Sequence, residues 1–211
     1  LRDGAWIETI ETQIAEDGVA IACARSEAAV RLDHVCRDGR GAFPGARVAM
    51  TGQGEDWLAE MPALAAEDRR RRARGAARER DGLIGGAGAG PHKSDMAVRH
   101  APKDQPAESC STGEQKALLV AHVLGAADLI CAARGARPVL LLDEVAAHLD
   151  HDRRRALFAW LLDSQAQAWL AGVPLGVLRI ARVSPEGLVE VQPAVPSPPQ
   201  FGRVSLKSAF T

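Results

Sequence analysis

Residues 110–119 read C-S-T-G-E-Q-K-A-L-L, and residues 138–150 read P-V-L-L-L-D-E-V-A-A-H-L-D. Ser111 and Thr112 are good helix N-caps, and Glu114 stands three residues after Ser111, a capping-box spacing. The pattern predicts an apolar helix from Gly113 to Arg134, with Gly135 as its stop signal. Pro138 precedes Val139-Leu140-Leu141-Leu142, a continuous apolar run that predicts a short strand buried on both faces. That strand ends in two adjacent carboxylates, Asp143 and Glu144. A further helix is expected from Asp152 to Ser164 and a next strand over 166–173.

The order of these pieces carries the chemistry. A helix opening at Ser111-Thr112-Gly113-Glu114-Gln115-Lys116 exposes main-chain amides and a positive dipole end, which suit phosphate. Alone, it is only a capped helix. A buried strand delivers Asp143 and Glu144 to the carboxyl edge of a sheet, where nucleotides bind in open α/β folds. In a Walker B arrangement the Asp holds Mg2+, often through water, because that ion keeps part of its hydration shell. The neighbouring Glu orients or deprotonates the attacking water. Asp150 follows Glu144 by six residues, at the end of Ala147-His148-Leu149-Asp150, the spacing of an interface-crossing D-loop. Asp150 and Asp152 also read as helix caps, and the two roles are compatible.

Working outward, the 211 residues suffice for one sizeable domain or two small lobes. Aromatics make up 4% with no Tyr, so the core has to come from Ala, Val, Leu and Ile. A net charge of -1 gives no global positive field, leaving any DNA contact to a local patch. The four cysteines, Cys23, Cys36, Cys110 and Cys131, form no C-x-x-C pair and read as reduced thiols of a cytoplasmic protein. No run approaches 18 consecutive apolar residues, so no membrane is expected. The chain opens on Leu1 rather than Met, which suggests that its natural start lies elsewhere.

Residues 1 to about 40 show helical spacing in Trp6, Ile7, Ile10 and Ile14. A turn over 38–44 and a strand over 46–51 follow. Residues 56–80 read as helix interrupted near Pro62, and Glu67–Arg80 holds seven arginines against three acids. That run is either a solvated helix face or a DNA-backbone contact. The glycine-rich stretch 81–95 reads as a connector between lobes. Its Lys93-Ser94 imitates the end of a phosphate-cradling P-loop, but His92 precedes the lysine and Pro91 removes an amide.

C-S-T-G-E-Q-K-A-L-L followed by P-V-L-L-L-D-E-V-A-A-H-L-D closely resembles the signature, Walker B and D-loop of the RecF family of DNA replication and repair proteins. Gly90-Pro91-His92-Lys93-Ser94-Asp95 resembles the G-P-H-[RK]-x-D segment upstream of the signature in that family. ABC transporter ATPases, with their L-S-G-G-Q signature, and the SMC and Rad50 proteins, with long heptad arms, fit less well. The resemblance implies an α/β fold, the C-terminal half of lobe I of an ABC-type P-loop ATPase head with part of a helical lobe II. It divides the chain into a lobe II remnant at 1–88, the ATPase half at 89–173 and a divergent Pro-rich tail at 174–211. It implies ATP and Mg2+ as cofactors and an ATP-dependent homodimer on double-stranded DNA near single-stranded gaps. There the family supports RecA loading alongside RecR, in recombinational repair and the SOS response.

Carried onto this chain, Ser111, Thr112, Gly113, Glu114, Gln115 and Lys116 would meet ATP held by the opposite subunit. Asp143 would serve Mg2+, Glu144 the water, and Asp150 the D-loop. The family's opening strand, P-loop and helix have no counterpart in the 211 residues. The chain alone is therefore expected neither to bind ATP measurably nor to hydrolyse it. The strand at 95–100 is expected to lack neighbours and leave an exposed edge. Leu170-Ala171-Gly172-Val173-Pro174 stands where the family has a polar switch such as T-G-T-D, while Gln200–Val204 resembles its closing strand. The alternative function is a non-catalytic remnant or interaction module that presents the signature helix to a P-loop-bearing partner.

Overall fold

A computed structural model describes residues 3–145 and 148–171 and the short strands 180–183, 189–192 and 202–204. The chain divides into two compact units, Leu1–His34 with Val48–Val98, and Val35–Arg47 with Arg99–Thr211. The glycine-rich connector at 81–95 lies within the first unit.

The first unit is mostly helical. Helix α1 (Asp3–Cys36) buries Ala15, Val19, Ala22 and Ala29, a stripe at helical spacing made of small residues. Trp57 of α2 (Gln53–Glu60) and Ala66 of α3 (Ala63–Ile84) complete a small core with Val19. Pro62 separates the two helices as the N-cap of α3, because it cannot donate to the helix that precedes it. Helix α3 ends at Gly85, whose φ of 75° suits glycine. With so few apolar residues, polar contacts carry much of the packing. Arg78 grips Glu11 through Nε at 2.7 Å and Nη2 at 2.5 Å. The buried Asp33 carboxylate accepts a hydrogen bond from the Val48 amide at 2.9 Å.

Strands β1 (Ala46–Thr51), β2 (Asp95–His100) and β3 (Gln105–Pro106) form one sheet in that order. Strand β2 is thus flanked on both sides, which corrects the expectation of an exposed edge at 95–100. One neighbour, β1, comes from a segment read as a strand, and the other, β3, from residues for which no element is expected.

The second unit is built on α4 (Thr112–Arg134), which sends Ala117, Val120, Ala121, Leu124 and Ala127 into the main core. By length and composition α4 could cross a membrane, yet this face packs against the sheet residues Leu140 and Leu142 and against Leu157 and Leu161. Strand β4 (Leu140–Asp143) pairs in parallel with β5 (Ala168–Ala171), and α5 (His151–Asp163) is the crossover between them. Strand β8 (Gly202–Val204) pairs antiparallel with β5, while β6 (Ile180–Val183) and β7 (Val189–Gln192) form a separate antiparallel pair. The rest of 174–211, read as a divergent tail, lies outside the described residues, as do Gly172, Val173 and Pro174 of the segment that stands where the family has its polar switch.

One expectation about β4 fails. Leu140 and Leu142 are buried, but Leu141 is 74% exposed and Val139 53% exposed. The strand is covered on a single face, and it pairs only with β5 among the described residues. Arg40 and Arg137 both meet Asp128 and both approach the Trp160 ring, at 6.0 and 5.3 Å.

This burial contrast sets a stability prediction. Leu157→Ala, at a site with no exposed surface, should cost about 2–5 kcal/mol. Leu141→Ala should change stability by about 0.5 kcal/mol or less, and urea melts of both variants measure the difference.

Candidate functional site

The first turn of α4 is assembled around Glu114. The Ser111 amide and hydroxyl both donate to Glu114 Oε2, at 3.0 and 2.9 Å. The Glu114 amide returns a bond to Ser111 Oγ at 3.4 Å, so the capping box expected from the spacing is present. Lys103 meets the other carboxylate oxygen at 2.5 Å. Hydrogen bonds from Lys103, then from the Ser111 hydroxyl and amide, hold the Glu114 carboxyl down at about 2. The same contact with Glu114 raises the Lys103 ammonium.

Thr112 and Gly113 are exposed on that turn, and among the described residues no acceptor meets their amides. These are the donors a helix leaves open at its start. Gln115 faces back into its own loop, its amide nitrogen donating to Glu108 O at 3.3 Å and Cys110 O at 3.1 Å. Lys116 is half-buried behind it.

The carboxylates stand at the end of β4. Asp143 and Glu144 are both exposed, and Glu144 sits in the left-handed region with φ of 52°. A non-glycine residue there costs about 1–3 kcal/mol unless its surroundings compensate. The turn sends the chain away from the strand immediately after Asp143. Glu144 Oε2 lies 3.6 Å from His148 Nε2. Leu149, buried at 4%, pins the loop to the core, while Ala147 of the D-loop lies outside the described residues. Asp150 is the N-cap of α5, accepting from the Arg153 amide at 2.8 Å.

Arg153 is the residue that sequence reasoning missed. Its Nη1 lies 3.3 Å from Asp150 Oδ2 and also donates to Gly113 O at 3.3 Å. One guanidinium therefore joins the D-loop aspartate to the signature turn. The only sequence signal was an arginine three residues after a capping aspartate, which is common on solvated helix faces. Lys103 was missed for a similar reason, since it comes from a turn eight residues before the signature.

Asp143 and Glu144 offer hard oxygen donors at one strand end. Such a pair fits Mg2+, which takes one or two carboxylates and keeps several waters. Among the described residues no group of three or more His, Cys, Asp and Glu stands together to cage a metal.

No protein-family model matches the sequence. The chain is 51% identical over 174 residues to the DNA replication and repair protein RecF of Mesorhizobium japonicum, an alignment covering 81% of this chain and 46% of that one. The RecF proteins of Caulobacter vibrioides and Brucella abortus are 45% and 42% identical over the same length, each covered to 45%. The chain thus spans about half the length of the curated relatives it matches. Among solved structures it resembles the recombination mediator protein RecF in the RecFOR pathway, as RecF-ATP, with a TM-score of 0.66 at 16% identity. That match covers 89% of this chain and 50% of the other. The RecF-ATPrS structure matches with a TM-score of 0.61 over 79% of this chain. The fold is that of an ABC-type ATPase, present in part.

The capping geometry predicts a pH response. A carboxyl held below its ordinary 4.5 stabilises the helix start above that pH, and the contribution fades as pH falls through about 2. In Lys103→Met the Glu114 carboxyl should titrate closer to its ordinary range, read from its side-chain carboxyl shift by NMR. An unchanged titration in that variant would contradict the cause assigned to Lys103.

Proposed function

We propose that this chain, RecF-type in sequence over its 174 compared residues and ABC-type in fold, supplies the signature and carboxylate half of an ATP-driven DNA repair site. The observation that carries this reading is Arg153, which links the signature turn at Gly113 to the D-loop at Asp150. Two motifs read separately from sequence are held as one surface. In this reading Ser111, Thr112, Gly113, Glu114, Gln115 and Lys116 face ATP bound by an opposite subunit, with the open amides of Thr112 and Gly113 as phosphate donors. Asp143 holds Mg2+ through water, and Glu144 orients or deprotonates the attacking water. Asp150 steadies the interface-crossing loop.

The complete machine binds DNA at gaps in an ATP-dependent homodimer and supports RecA loading with RecR, in the cytoplasm. The P-loop would come from elsewhere than these 211 residues. A second reading is favoured by β4, which pairs only with β5 among the described residues and, with exposed Leu141 and the preceding Val139, suits an added strand. There the chain is a non-catalytic module that docks on a P-loop-bearing partner.

Nucleotide titration of the chain alone should show no micromolar ATP binding. Mixed with the P-loop-bearing half of a RecF relative, it should restore hydrolysis. In that mixture Glu144→Gln should slow turnover by about 100-fold or more while nucleotide still promotes association. A mixture that associates without hydrolysing supports the module. Hydrolysis at an unchanged rate in Glu144→Gln sinks the role given to that residue.

A further inference from the structure

We propose that the groove between α2 and α3 in the first unit is a binding site for a phosphate group. The arginine run there is neither a plain solvated face nor uniformly free. Arg78 is held by Glu11, Arg69 lies 5.0 Å over the Trp57 ring, and Arg71 meets Asp68 at 3.0 Å. Three others, Arg70, Arg74 and Arg80, line a cavity of about 240 Å3 together with Gln53, Trp57 and Gly90.

Arg70 is the unusual one. It is 5% exposed, and its Nε and Nη1 have no hydrogen-bond partner among the described residues. Those two donors have no accessible surface, and Nη1 is seated on Gly18, so this side chain acts on the groove through its charge rather than by bonding a ligand with them. Burial lowers its proton affinity most, Glu55 opposes that, and the like charge of Arg74 adds to it. Glu55 is itself buried, with Oε2 taken by Ser94 at 2.8 Å and Oε1 unpartnered. It balances one arginine, not three.

The place for Arg70 is built into the backbone. A Cβ at Gly18 of α1 would overlap Arg70 Nη1, and one at Gly54 would come within 2.8 Å of Nη2. The remaining acid at the cavity, Asp81, is engaged by the Gly88 amide at 3.2 Å and by Arg80 at 3.5 Å. Positive charge is in excess, and forked guanidinium donors match oxyanions. Trp57 is buried and already covered by Arg69, so it offers no free face for a base. The volume is below the roughly 300–1,000 Å3 of drug-sized sites, which favours a phosphate over a whole nucleotide. Free phosphate and a phosphodiester of single-stranded nucleic acid share this chemistry. The site stands apart from the nucleotide reading of the second unit.

The test is calorimetric titration of the 211-residue chain at matched ionic strength with two probes, sodium phosphate and an unphosphorylated oligothymidylate of about six nucleotides. Saturable binding of at least one probe is expected. Phosphate alone assigns a free anion, the oligonucleotide alone a polynucleotide, and both support the site. Arg74→Gln with Arg80→Gln should weaken binding about tenfold or more with an unchanged thermal melt, leaving Arg70 in place. Arg72→Gln, exposed on the same helix and outside the groove, should bind as the parent does. Absence of saturation by either probe, an unaffected double variant, or equal weakening by Arg72→Gln overturns the proposal.

Discussion

Leu140 and Leu142 must face the core, and a strand alternates its side chains, so Leu141 and Asp143 are forced to the opposite face. That single constraint aims the first carboxylate. The parallel register sets Asp143 opposite Ala171, and α5 closes the crossover behind it through Leu157 and Leu161. Leu149 supplies a second anchor, which leaves the chain only a few residues to turn from strand to helix. The left-handed backbone at Glu144 is how it turns so soon. The aspartate, glutamate and D-loop therefore owe their places chiefly to buried Leu140, Leu142 and Leu149, with Glu144 and His148 in contact at the surface.

What was legible in the sequence was local and ordered. The capping box at Ser111, the break at Pro62, the strand ending in Asp143 and the helix after Asp150 each follow from spacing and stereochemistry within a few residues. What was hidden depends on distant partners. A run of four apolar residues gives no clue that only one of its faces is covered, because coverage belongs to the helices packed on the sheet. The pairing of β2 with β1 joins residues some 45 positions apart, beyond the reach of any periodicity. In the arginine run, each residue looks alike on paper, yet Arg70 is buried, Arg78 is paired and Arg72 is exposed.

The signature turn is electrostatically closed upon itself. Glu114 is satisfied by Ser111 and Lys103, and Gln115 by two loop carbonyls, so the polar side chains need nothing further to remain in place. Among the described residues the main-chain amides of Thr112 and Gly113 stay open. Arg153 adds positive charge beside Gly113, on the side where the helix dipole is already positive. On the proposed reading, such a surface would meet an anion without rearranging its core.

The close seating of Arg70 on Gly18 has a consequence for how this sequence can drift. Positions 18 and 70 belong to different helices, yet a side chain gained at 18 requires the Arg70 side chain to shift. A shorter side chain at 70 would leave a hollow over bare backbone. Inherited variation at the two should be correlated, with lineages keeping the pair intact or exchanging both members together.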